Sequence, residues 1–340
     1  MKALKYFFFL LLIILIGFTM YVAVQPNSFE VSRTRTINAP ASVIYNHVID
    51  FKNWEAWSSW AESDPDLKIS FSDISKGVDA AYSWENKDGT GTMTTHTANP
   101  YENIQQTIQA SDFPSSEVSW DFTPNEDNST HVTWRIIAND LPFAFKIRSV
   151  LMGNVEEKIG PHYERSLEKL DSIVVADMKK YSIKINGFTE HSGGYYIYKT
   201  TSCKINNLKD NIDDLLHDVT TYATENNLNI SGFPFVYYHK YDLENNAVMF
   251  SCCLPTTSKI ITTENDILTG QLTPFKTLKT TLTGDYSHLQ EAWDMSMKYI
   301  TNSGYEIHED GPMLETYITD AKKVPNPAEW QTSIYIALKE

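Results

Sequence analysis

Cysteine is scarce: the 340 residues include three, Cys203, Cys252 and Cys253. An odd count with two neighbours excludes a disulfide framework, because a bridge between adjacent residues is strained. Small apolar side chains in a strand over 247–254 are the reading that remains. Basic charge is also short, with 28 Lys and Arg against 43 Asp and Glu and a net charge of −15. That balance leaves no basic face to neutralise phosphates, so nucleic acid is not an expected partner. The 9 histidines lack metal-ligand spacing. His96 and His131 stand singly on alternating segments, and His288 with Glu291 has the spacing of a helical salt link, so neither a metal nor a cofactor is expected. After residue 24 no long apolar run remains, which excludes a polytopic membrane protein.

What is present is 42% hydrophobic, 13% aromatic and 21% charged residues. Such a chain folds, and its length predicts two globular units. Tyr6 to Val24 (YFFFLLLIILIGFTMYVAV) carries no charge and as a helix spans roughly 28 Å, close to the hydrocarbon core of a bilayer. Its exit, Tyr-Val-Ala-Val-Gln-Pro, is a poor cleavage site, so an uncleaved single-pass anchor over 1–26 fits better than a signal peptide. Lys2 and Lys5 lie closer to the run than Arg33 and Arg35, which favours a cytoplasmic N-terminus and an exported, periplasmic body.

The first globular region runs over 29–178. Phe29 to Ile37 alternates like a strand, Asn38-Ala39-Pro40 starts a short helix over 42–50, and six alternating segments follow between Leu67 and Ile137, as in an antiparallel meander. Tyr163, Leu167, Leu170, Ile173 and Val174 then form one apolar stripe of a helix predicted over 161–179. This order, with the start TRTINAPASVIYNHVIDFKNWEAWSSW and the end GPHYERSLEKL, resembles the START-like (SRPBCC, polyketide-cyclase-like) superfamily. The resemblance implies a helix-grip fold with a cavity for an apolar or amphipathic molecule, lipid included. Trp84, Trp120 and Trp134 fall on the apolar faces of their strands, where they line either that cavity or, as is commoner for large aromatics, the core. No nucleophile elbow or phosphate loop occurs in this region.

The second region, 181–340, is duplicated. Residues 195–255 read strand, helix, strand, strand, with Leu208, Ile212, Leu215, Leu216, Val219 and Tyr222 on one helix face. Residues 277–338 repeat that order with Leu289, Trp293, Met297 and Ile300. The stretches GDYSHLQEAWDMSMKYITNSGYEI, GPMLETYITD and WQTSIYIAL resemble the GyrI-like effector-binding domain found in AraC- and MerR-type activators. Overall the expected class is α+β: an N-terminal transmembrane helix, a helix-grip antiparallel sheet with a long C-terminal helix, and a duplicated βαββ domain.

The resemblance places the family's central acid at Glu315, and strand alternation sets Met313, Glu315 and Tyr317 on one face. It also implies Tyr286 as a ligand contact. Trp293 suits core and groove wall equally, and Tyr195, Tyr237 and Tyr238 are further candidates from the first half. A partly buried carboxylate among rings suits an organic cation, each ring face adding about 0.5 to 2 kcal/mol. Regulators of this family carry a DNA-binding helix-turn-helix where this sequence has an apolar helix and a START-like region. The expected function is therefore membrane-anchored small-molecule binding by two tandem modules. Hydrolysis of a small electrophile through Glu315, with Tyr286 or Tyr317 orienting it, and lipid handling by the START-like cavity are the alternatives.

Overall fold

The computed structural model describes residues 2–86, 89–111, 113–263 and 266–339. The chain divides into two compact units, Met1–Asp177 and Met178–Glu340, and its architecture is the α+β class read from the sequence.

The first unit opens with the apolar helix α1 (Lys2–Ala23), followed by β1 (Phe29–Ile37), α2 (Ala41–Ile49), α3 (Trp54–Trp57) and α4 (Ser59–Ser63). The meander comprises β2 (Lys68–Phe71), β3 (Ala81–Asn86), β4 (Gly89–Asn99), β5 (Asn103–Ala110), β6 (Phe113–Pro124) and β7 (Thr130–Ala138). Helices α5 (Phe143–Met152) and α6 (Val155–Met178) close the unit. Its antiparallel sheet has the order β1-β7-β6-β5-β4-β3-β2, so β1 is an edge strand paired only with β7. Every predicted strand is present.

Two features depart from expectation. Helix α5 was not foreseen, and α6 begins six residues before Pro161, which therefore lies inside the helix. An internal proline removes one N–H and crowds the carbonyl four residues back, here that of Glu157. Local devices offset this. The Asn154 side chain accepts from the Glu157 N–H at 2.8 Å while the Glu157 carboxylate accepts from Asn154 Nδ2 at 3.1 Å, a reciprocal cap at the helix start. Arg33 bridges Glu156 and Glu164, one on each side of the proline. A Cβ on Gly160 would stand 2.3 Å from the Arg33 guanidinium, so a larger residue there would make that side chain shift. Arg35 likewise meets Asp171 of α6 at 2.8 Å. Both arginines share the face of Val31 and Ile37, and alternation alone does not reveal that this face ends in acids.

The second unit contains β8 (Ser182–His191), β9 (Gly194–Lys204), α7 (Leu208–Glu225), β10 (Phe235–Asp242), β11 (Ala247–Thr256), β12 (Leu268–Leu272), β13 (Phe275–Thr283), α8 (Leu289–Asn302), β14 (Met313–Tyr317) and β15 (Gln331–Ala337). The sheet order is β12-β9-β11-β10-β14-β15-β13-β8. Its inner six strands are the two βαββ repeats, β9-α7-β10-β11 and β13-α8-β14-β15, set about a pseudo-twofold between β10 and β14. The predicted stripe of α7 is buried: Ile212, Leu215, Val219 and Tyr222 pack on Ile197, Val248, Phe250 and Cys252. Helix α8 packs Ala292 and Ile300 on Leu278, Leu282, Ile334 and Ile336. Each helix thus covers the outer strands of its own repeat, and the central pair β10 and β14 lies between the two helices. Cys252 and Cys253 are fully buried in β11.

Candidate functional site

The pair β10–β14 is held in register by Phe235 opposite Thr316, Val236 opposite Glu315 and Tyr237 opposite Leu314. Side chains directly opposite one another share a face. Glu315 therefore lies beside Val236 on the helix-bearing face, and on its other side it pairs with Ile334 of β15. Its neighbours in the ladder are apolar, and the residue is 4% exposed.

A carboxylate in such a place needs donors for its lone pairs, or it stays protonated. Three aromatic side chains supply them. Trp293 Nε1 of α8 donates to Oε1 at 2.5 Å, and the hydroxyls of Tyr238 and Tyr317 donate to Oε2 at 2.9 and 3.1 Å. The Trp293 and Tyr238 rings meet edge to face at 5.9 Å, so α8 and β10 meet directly over the acid. All three rings are half-buried. Tyr286, in the turn that starts α8, packs at 5.4 Å from Tyr317 and 4.8 Å from Trp330, extending the aromatic wall.

The electrostatics follow from this geometry. Burial pushes the Glu315 carboxyl above its ordinary range, and the bonds from Trp293, Tyr238 and Tyr317 pull it back. Burial, with Glu315 adding to it, holds Tyr238 and Tyr317 well above the usual phenol value, so both remain donors. Tyr286 is pushed up to about 12, by burial first and then by Asp213, Asp320, Asp285 and Glu315. Negative charge therefore surrounds this wall from α7, from the α8 turn and from the loop after β14. Burial also raises the Cys252 thiol, with Asp213 and Glu315 contributing, which keeps it protonated and unreactive.

The structure brings together Glu315, Tyr317, Trp293, Tyr286 and Tyr238 of the residues singled out from sequence. Met313 shares their face and packs into the α8 cluster. Tyr237 does not join them. It stands opposite Leu314 on the other face of the sheet, in a cluster with Tyr196, Phe235 and Cys253, because successive strand residues point to opposite sides. Its neighbour Tyr238 takes the place beside Glu315. Tyr195 pairs with Thr256 of β11 and Gln271 of β12, so β11 and β10 separate it from Glu315. Trp330 and Asp213 belong to the surroundings of the acid and were not anticipated: one lies in a loop without periodicity, the other reads as one more solvated acid on an acidic helix.

In the first unit Trp120 and Trp134 stack at 4.3 Å, and Trp134 lies flat on Tyr163 of α6 at 3.7 Å. Trp54 and Trp57 close against both, edge to face. Trp120 and Trp134 are core residues, 0% and 1% exposed. Trp84 is separate and half-buried. Its ring lies over Gly91, where a Cβ would collide at 2.1 Å, and it borders an open concavity of about 570 Å³ with Ile69, Ser83 and Ala110. The indole N–H groups of Trp57, Trp120 and Trp134 are buried and have no hydrogen-bond partner among the described residues.

Comparison with known proteins agrees with this division. Residues 28–174 match the family described as polyketide cyclase / dehydrase and lipid transport, and residues 195–339 match the GyrI-like small molecule binding domain. Nothing among curated proteins matches the chain. Of solved structures, the EcmrR C-terminal domain is 16% identical, covering 47% of this chain and 98% of its own, at a TM-score of 0.39. EcmrR in a DNA complex is 15% identical, covering 58% and 72%, at 0.41. TTHA0849 from Thermus thermophilus is 18% identical, covering 44% and 98%, at 0.32. The chain therefore carries, in order, an N-terminal helix long and apolar enough to cross a membrane, a polyketide cyclase / lipid transport domain and a GyrI-like small molecule binding domain.

Proposed function

We infer that this is a membrane-anchored binding protein whose GyrI-like domain captures a lipophilic aromatic cation at Glu315. Helix α1 is a retained single span over 1–26, the domains occupy 29–178 and 181–340, and the body lies on the exported side. The observation that carries this reading is the buried Glu315 carboxylate, bonded by Trp293, Tyr238 and Tyr317 and covered by their half-buried rings. A cation arriving over those rings gains the charge of the acid and the ring faces together, about 0.5 to 2 kcal/mol for each face. It also favours loss of the proton that burial would otherwise keep on Glu315. Affinity should therefore rise with pH through the Glu315 pKa.

The test is calorimetric titration of the detergent-solubilised chain with tetraphenylphosphonium and, separately, with neutral triphenylphosphine oxide. The cation should bind more tightly, and Glu315→Gln should weaken it at least tenfold while leaving the neutral compound unchanged. Equal binding of both compounds to both proteins would overturn the reading.

A second reading concerns the first domain and is favoured by one observation. Among the described residues three buried indole N–H groups have no protein acceptor, and a buried donor in that position costs about 1–3 kcal/mol until an acceptor is supplied. An amphipathic guest bearing a carbonyl or carboxylate oxygen would recover part of it. Oleate should perturb tryptophan emission where hexadecane does not; an equal response to both would remove this reading.

A further inference from the structure

Helix α5, FAFKIRSVLM over Phe143–Met152, takes no part in either site. None of its ten residues is buried. Phe143, Leu151 and Met152 are 45%, 68% and 65% exposed. It carries Lys146 and Arg148 and no acid, in a chain with 43 acids against 28 bases. Its hold on the domain is aromatic: Phe145 packs at 6.1 Å from Phe29 and 5.3 Å from Phe113. Phe143 and Leu151, eight residues apart, lie on the side of α5 turned away from Phe145, whereas Met152 follows the Phe145 stripe. Exposed apolar side chains with cations beside them, on a helix fastened by its other side, are what a lipid–water boundary accommodates and bulk water does not.

The position of α5 identifies the occupant of that face. Along α1 the side chains from Tyr6 to Ile16 are 50% exposed or more, whereas Val22 in its last turn is fully buried. Helix α5 packs against α1. Lys146 Nζ donates to the Gln25 carbonyl at 3.1 Å, two residues beyond the end of α1. The Leu141 N–H donates to the Asn27 carbonyl at 3.0 Å, and Asn27 Nδ2 donates to Asp140 at 3.3 Å. The start of α5 is thus tied to the point where α1 leaves its apolar stretch.

We propose that α5 is a membrane-surface helix, lying in the headgroup layer of the bilayer that α1 crosses, with Phe143 and Leu151 directed to the acyl boundary and the cations of its flank at the level of the lipid phosphates. This rests on the reading of α1 as a retained span. It goes beyond that reading by giving the first domain a defined face toward the lipid, so that the anchor is a helix pair and not a free tether. A helix with cations and no acid also keeps an otherwise acidic body close to an anionic leaflet.

The full chain, with Cys203→Ser to remove the half-exposed thiol, is reconstituted into vesicles of phosphatidylcholine and phosphatidylglycerol. An NBD label is placed singly at Ile14→Cys, Leu151→Cys and Glu102→Cys. Glu102 is exposed in the turn before β5, next to the end of β6 remote from Phe113, and serves as the water reference. Lipids brominated along the acyl chain should quench the label at Ile14 strongly and at Leu151 at least threefold more than at Glu102. Adding Phe143→Gln and Arg148→Gln should halve the quenching at Leu151 while leaving Ile14 unchanged. Quenching at Ile14 with Leu151 like Glu102 overturns the surface helix and leaves the span standing. A label at 151 shielded from both water and lipid would assign the face to a second copy, which also overturns it. No quenching at Ile14 removes the span itself, and the proposal with it.

Discussion

The two domains handle aromatic side chains in opposite ways. In the first, Trp54, Trp57, Trp120, Trp134 and Tyr163 stack into a core, and three of the indole N–H groups meet no acceptor among the described residues. In the second, the N–H of Trp293 and the hydroxyls of Tyr238 and Tyr317 all converge on one carboxylate. Ring density is therefore a poor guide to a site. What distinguishes the second cluster is a buried group whose charge can change, held by donors that are only partly buried. The first cluster responds to loss of volume, the second to loss of a proton or a donor.

The contrast can be broken experimentally, beginning with the largest effect. Trp134→Ala should cost about 3–5 kcal/mol in urea unfolding, independently of pH, because it empties a stacked core position. Loss of a comparable amount only at high pH would show that an ionised group, and not packing, depends on it. Trp293→Phe and Tyr317→Phe should each cost about 1–3 kcal/mol at pH 8, where a donor to the buried carboxylate is lost. That cost should shrink at pH 4, where the carboxyl is neutral; equal costs at both values would mean that Glu315 is already protonated at pH 8.

Glu315→Gln sharpens the comparison further. Burial raises the folded-state pKa of Glu315 above its ordinary value of 4.5. The folded chain keeps the proton over a window in which the unfolded chain has released it. The stability this contributes is complete below the ordinary value and is lost as pH rises through the folded-state pKa. The wild type minus Glu315→Gln difference in unfolding free energy should therefore fall with rising pH, and a difference flat from pH 4 to 8 would refute the shift. The smallest effect is expected at Arg33→Met, under about 1 kcal/mol, since its carboxylate partners Glu156 and Glu164 are 51% and 63% exposed and screened by solvent.

Much of the fold was legible from periodicity. The stripe of α7, the six meander strands and the duplicated βαββ order all announce themselves through residues that must share one face. The start of α6 did not, because Pro161 reads as a first-turn residue until Asn154 and Arg33 are seen to support six residues before it. Helix α5 gave no signal either, since its apolar residues serve no core. At the site, Glu315, Tyr317, Tyr286 and Trp293 were accessible through strand alternation and family resemblance, and Tyr238 was among the further candidates. Tyr237 was not correctly placed, because parity along β10 becomes a facing direction only once Val236 is known to pair with Glu315.

Composition and hydropathy by themselves determined that this chain has one apolar helix, two folded regions and an acidic surface, because those properties are sums over residues and need no coordinates. The order of strands across the second sheet, and with it the meeting of β10 from one repeat with β14 and α8 from the other around Glu315, was decided by tertiary pairing. Tyr238 and Trp293 stand 77 and 22 residues from that acid. Nothing local brings such distant donors to one carboxylate; the burial of both repeats against a shared sheet does.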